Sequence, residues 1–110
     1  MTRVALQWTI DGRDHVLPVP DDRPVTIGRD SSCDIVFDDV AVSRHHAEVV
    51  LRGQACFVRH LSDTNATYVN GRIALGETAI VPGDILWLPV RLVRVVSLDG
   101  PTDGAPDASA

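Results

Sequence analysis

Apolar residues in this chain come in short runs broken by turn residues, and no stretch can be wound into an amphipathic helix. The longest run free of glycine and proline, residues 29–52, sets Ile35, Val36 and Phe37 side by side, then Val49, Val50 and Leu51. Neither cluster has the i, i+3, i+4, i+7 spacing that gives a helix one apolar face. Elsewhere the period is two. Val4, Leu6, Trp8 and Ile10 alternate with Arg3, Ala5, Gln7 and Thr9, and Asp11-Gly12 then reads as a hairpin turn. Strand-like runs follow at residues 15–19, 25–27, 34–37, 47–51 and 55–61. Asn70-Gly71, between Tyr68-Val69 and Arg72-Ile73, suits the positive φ angles of a type I′ turn. Pro82-Gly83-Asp84 separates residues 78–81 from 85–88, and residues 91–97 form the last run. Many short strands, rich in valine and isoleucine, predict an all-β sandwich. Pro18, Pro20 and Pro89 belong at edges or strand ends, because proline donates nothing to a central ladder.

Charge divides the chain into two parts. It carries ten arginines, no lysine and fifteen acidic residues, a formal net of −5 over 110 residues. Residues 1–98 hold all ten arginines and twelve of the acids, so Asp99, Asp103 and Asp107 supply the rest. The segment 99–110 has no large apolar side chain and alternates Gly, Pro, Asp and Ala. We therefore expect one domain over 1–98 and a disordered tail or linker over 99–110. With 45% hydrophobic residues, the domain has material for a core. Cys33 and Cys56 are too few for a disulfide framework and are expected buried and reduced. No apolar run approaches the roughly 18 residues of a membrane span, and the N-terminal residues turn polar too early for a signal peptide. These features predict a cytoplasmic protein without membrane contact. Scattered arginines, few aromatics and the acidic balance argue against binding nucleic acid.

Sandwiches carry function in loops at the sheet ends. Three loop segments stand out: Gly28-Arg29-Asp30, Ser43-Arg44-His45-His46 and Thr64-Asn65-Ala66-Thr67. Together they offer two guanidinium forks, several hydroxyls and an amide, an inventory suited to a phosphate monoester on a peptide. Serine and histidine this close on an extended segment are poorly placed to form a hydrolytic pair, and no nucleophile elbow is present. Cys33, His45, His46, Cys56 and His60 lack the spacing of a zinc site. Neither catalysis, a metal nor a cofactor is therefore expected.

In this order and spacing, Gly28-Arg29, Ser43-Arg44-x-His46, Thr64-Asn65-x-Thr67 and Val69-Asn70-Gly71 resemble the forkhead-associated (FHA) domains, with Pro82-Gly83-Asp84-Ile85 similar to the family's final hairpin. The resemblance implies a sandwich of about eleven strands that binds phosphothreonine peptides on loops at one end. It further implies an upstream Ser/Thr kinase and a Thr-phosphorylated partner. By position, Arg29 and Ser43 would contact phosphate, with Arg44 beside them. Thr64 would shape the phosphothreonine site, and Asn65 would bond the peptide backbone. Gly28, His46, Asn70 and Gly71 would support the loops. Three positions depart from the family pattern: Ala66 replaces glycine, Asp63 replaces serine and His60 replaces aspartate. At a positive φ, Ala66 would be strained by roughly 1–2 kcal/mol. Asp63 would bring a carboxylate near the anion. The alternative is phospho-independent binding of a partner through the same sandwich.

Overall fold

The computed structural model describes residues 3–98, so the acidic segment 99–110 lies outside the described residues. Eleven strands follow in chain order: β1 (Val4–Ile10), β2 (Arg13–Pro18), β3 (Val25–Gly28), β4 (Ile35–Val36), β5 (Ala47–Arg52), β6 (Ala55–His60), β7 (Tyr68–Val69), β8 (Arg72–Ile73), β9 (Glu77–Ile80), β10 (Ile85–Leu88) and β11 (Arg91–Ser97). They form two sheets, of order β2-β1-β11-β10-β7-β8 and β4-β3-β5-β6-β9. The all-β sandwich anticipated from the turn-punctuated pattern is what the chain adopts.

Local chemistry sets the hairpins. Asp11 and Gly12 take φ of 52° and 78°, and Asn70 and Gly71 take 51° and 84°, so both pairs turn with the right-handed twist of their strands. Ile10 thereby faces Arg13, and Val69 faces Arg72. Pro18 ends an edge strand and Pro89 lies in the β10–β11 turn, where neither interrupts a ladder. Side chains alternate across each strand, and one set from each sheet meets in the centre. Leu6, Leu86, Val93 and Val95 from the first sheet pack against Val25, Ile27, Ile35, Val49 and Val58 from the second. Phe37 and Val42, on the segment between β4 and β5, close the core at one end. Cys33 and Cys56 are buried free thiols, and burial pushes Cys56 up to about 11.

Strand directions decide which connections cluster. β3 and β6 run toward the same end, from which β5 and β7 run back. The β3–β4, β4–β5 and β6–β7 loops, which carry the three sequence segments above, therefore share one end with the β1–β2 and β10–β11 turns. Asn70-Gly71 turns the chain on the other side of β7.

Candidate functional site

The site begins with a close approach of two backbones. Arg29 N–H donates to the Ser43 carbonyl at 2.9 Å, and Asp30 N–H to the Arg44 carbonyl at 3.2 Å. This puts the residue after β3 beside the segment before β5. Only glycine at position 28 permits it, since a Cβ there would lie 2.1 Å from the Arg44 carbonyl oxygen and 3.1 Å from Cys33 Sγ. Gly28 has no positive φ, so the requirement is steric room and not backbone conformation.

His46 is the hub beneath the loops. It is fully buried, its backbone N–H donates to Ile27 and its carbonyl accepts from Leu61 and Ser62 at 2.9 and 3.1 Å. Its Nδ1 accepts the Ser43 N–H at 3.2 Å, while Nε2 lies 3.2 Å from the Ala66 carbonyl. Those partners fix one tautomer: Nδ1 bare, Nε2 protonated and donating. Burial holds its pKa below the ordinary histidine value, in keeping with a neutral ring. One imidazole thus ties the β4–β5 loop to the β6–β7 loop. His60, its edge-on neighbour at 5.7 Å, bonds the buried Thr67 hydroxyl through Nδ1 at 2.9 Å.

Above this layer lies a group of hydroxyls. Ser43 Oγ is 2.5 Å from Ser62 Oγ and 3.2 Å from Thr64 Oγ1. Ser62 Oγ accepts the backbone N–H groups of Thr64 and Asn65, both at 3.2 Å, and so bends the β6–β7 loop. Sequence reasoning passed over Ser62. The available signal was a serine followed by Asp-Thr-Asn, a composition that favours side-chain-capped turns.

Arg29, Arg44, Thr64 and Asn65 are exposed around these hydroxyls, with Ser43 half-buried. Arg29 Nε donates to the Val42 carbonyl at 3.0 Å, which anchors the guanidinium stem. Among the described residues no carboxylate pairs with Arg29 or Arg44. The acids near them in sequence are engaged elsewhere. Asp34 bonds Arg23 and Thr26, and Asp30 accepts the hydroxyl and backbone N–H of Ser32, which hold its carboxyl below the usual range. Asn65 Nδ2 donates to the Ala41 carbonyl at 2.8 Å, and its Oδ1 has no partner among the described residues. The site is a crown of loops and not a cavity. A concavity of about 380 Å³ lies instead between β1, β2 and β11.

The condition for strain at Ala66 is not met: Asp11, Asn70 and Val90 are the non-glycine residues with positive φ among those described, so alanine fits the loop as built. Asn70 and Gly71, expected to support the loops, turn the chain at the opposite end of β7. Asn70 donates through Nδ2 to Asp84 Oδ1 at 2.8 Å and accepts the Ile85 N–H at 2.9 Å, clamping β7 to β10. They bear on the site through the hairpin they close, beyond which the Ala74 N–H donates to the Thr67 carbonyl at 2.8 Å.

A buried histidine joining two loops, a glycine demanded by close approach and an arginine directly after it recur here in the positions the motifs assigned. The FHA-domain family model matches residues 25–89. This chain belongs to the FHA-domain family. Relatives of the FHA domain include the glycogen accumulation regulator GarA of Mycobacterium tuberculosis, 38% identical over 82 residues. That match covers 74% of this chain and 49% of GarA, so the chain spans about half the length of the curated relative. Among solved structures, one from a study of phosphothreonine-dependent FHA domain interactions superposes with a TM-score of 0.73 at 28% identity, covering 86% of this chain and 95% of that one. The FHA domain of FhaA, solved in complex with the intracellular domain of Rv3910, gives 0.70 at 29% identity, covering 84% and 98%.

Proposed function

We propose that this FHA domain is a non-catalytic module that reads phosphothreonine on partner proteins after an upstream Ser/Thr kinase has acted, in the cytoplasm, with residues 1–98 as the folded unit. One observation carries the reading. Arg29 and Arg44 stand without carboxylate partners beside the hydroxyls of Ser43 and Thr64, all on loops held by a buried layer. A phosphate monoester brings about −1.5 to −2 of charge and three acceptor oxygens, which such donors match. Asn65 Oδ1 is available to accept from a peptide N–H. The relatives described in terms of phosphothreonine-dependent interactions support the ligand class.

Hydrolysis finds no support in the geometry. Ser43 Oγ bonds two hydroxyls, and both His46 ring nitrogens are occupied by backbone groups. The test is a threonine-phosphorylated peptide library against its unphosphorylated counterpart. Binding confined to the phosphorylated set is expected. Equal signal from both would overturn the reading in favour of an unphosphorylated partner.

A further inference from the structure

The outer faces of the two sheets differ in how they meet water. On the five-stranded sheet, Glu48, Arg59 and Glu77 lie in one cross-strand row and form ion pairs at 2.8 and 2.9 Å. Arg52 joins Glu77 at 2.5 Å and covers the Phe57 ring at 5.4 Å. The corresponding row on the six-stranded sheet is Leu92, Trp87, Tyr68 and Ile73, each opposite the next across β11, β10, β7 and β8. Trp87, Tyr68 and Ile73 are 44%, 41% and 53% exposed. At its Leu92 end the row opens into the concavity of about 380 Å³, which Arg91 and Arg94 also line. Neither arginine has a carboxylate partner among the described residues, and Arg91 Nε is buried without an acceptor. The nearest acid in that concavity, Asp14, accepts the Thr9 hydroxyl.

We infer that this row and its arginine-lined end form a second docking surface, which takes an acidic, apolar segment of the same protein whose phosphothreonine the loops hold. The inference rests on the phosphothreonine reading. Three observations select that occupant. Arg94, exposed and without a carboxylate partner, complements with the exposed aromatics a segment carrying both carboxylates and apolar side chains, while Arg91 at the same end covers the buried Phe37 ring at 5.6 Å. The row crosses three strand spacings, ~14 Å, and is one side chain wide, about 7 Å, so its footprint on the order of 100 Å² falls far short of the roughly 800 Å² per partner of a stable interface, and it does not serve a second copy of this chain on its own. A tethered segment binds such a patch because the first contact raises its effective concentration. Tyr68 also follows directly on Thr67, the last residue of the β6–β7 loop, so the row passes the end of the candidate site at its third member. At about 3.3 Å per extended residue, five or six residues beyond the phosphothreonine cover the distance along the row.

The experiment compares two degenerate phosphothreonine peptide pools on the whole chain by fluorescence anisotropy. One has three residues on each side, and the other ten, with the outer positions drawn from Leu, Phe, Asp and Glu. Long peptides are expected to bind at least ten-fold more tightly than short ones. That gain should vanish in Trp87→Ala/Tyr68→Ala and shrink in Arg94→Glu, an exposed change that spares the apolar row, while short-peptide affinity stays unchanged. Equal affinity for both pools, or a gain that survives both variants, would overturn the docking surface and leave the phosphothreonine reading standing. Failure of the short pool to distinguish phosphorylated from unphosphorylated threonine would overturn the phosphothreonine reading itself. A concentration-dependent dimer in sedimentation, abolished by Trp87→Ala/Tyr68→Ala, would assign the row to a second copy and overturn the inference.

Discussion

Two asparagines, five residues apart in sequence, sit on opposite sides of β7 and have different fates. Asn70, at the turn between β7 and β8, uses both ends of its amide within the fold, on Asp84 and on the Ile85 N–H. Asn65, on the β6–β7 loop, donates once to the Ala41 carbonyl and leaves its oxygen without a partner among the described residues. The arginines show the same contrast: Arg52 and Arg59 are fully engaged with carboxylates and hold Glu77 at about 2, whereas Arg29 keeps only a stem contact to Val42. Residue type alone does not distinguish structure from recognition. Unused hydrogen-bonding capacity on a rigid support does.

The largest effect is expected from Gly28→Ala. A methyl group 2.1 Å from the Arg44 carbonyl must separate the two backbones that build the site, because neither is the movable end of a side chain. We expect a loss of roughly 3 kcal/mol or more, seen as a large drop in melting temperature. A melting temperature within a degree or two of wild type would show that the close approach is not required.

His46→Ala comes next. It leaves the half-buried Ser43 N–H and Ala66 carbonyl without partners and opens a cavity, for an expected cost of about 2–4 kcal/mol, with binding weakened in parallel. A variant that loses affinity at unchanged stability would move His46 from the supporting layer to the binding layer. The wild-type ring also gives a pH signature. Its folded pKa lies below the ordinary 6.5, so between those values the unfolded chain binds the extra proton. Stability should therefore be full above about pH 6.5 and decline as the pH falls toward the depressed folded value. Chemical denaturation between pH 7.5 and 5 measures the decline, and His46→Asn should flatten it.

Smaller effects separate the two asparagines. Asn70→Ala should cost about 2 kcal/mol of stability, through two lost hydrogen bonds and alanine at a positive φ, and leave phosphopeptide affinity unchanged. Asn65→Ala should weaken binding several-fold with little change in melting temperature. The reverse pattern would erase the contrast between the two turns.

Much of the fold was legible in the sequence because its turns announce themselves chemically. Asp11-Gly12 and Asn70-Gly71 demand positive φ, and Pro82-Gly83-Asp84 stops a strand, so the strands between them could be placed to within a residue or two. The site was legible as an ordered set of residue types. What each contributes was not, because that depends on contacts across 20 or so residues of chain. Gly28 reads as a flexible residue until Arg44 is brought against it. Ser62 reads as a polar loop residue until the Ser43 hydroxyl is brought to 2.5 Å from its own. Asn70 looked like part of the site because two residues of sequence separate it from the loop, but β7 carries it to the far side. Whether Ala66 is strained depended on a φ angle that residue type does not give, and the loop sets it outside the positive range.

The central claim is that the loop end keeps a guanidinium free for phosphate while the layer beneath maintains the fold. Calorimetry of wild type and Arg29→Ala with one phosphothreonine peptide, alongside thermal melts of both proteins, tests it directly. Loss of one charged hydrogen-bonding group of about 1.5–3 kcal/mol predicts binding weakened roughly 10- to 150-fold, with the melting temperature unchanged. Unchanged affinity, or a fall in affinity matched by a fall in stability, would contradict the account.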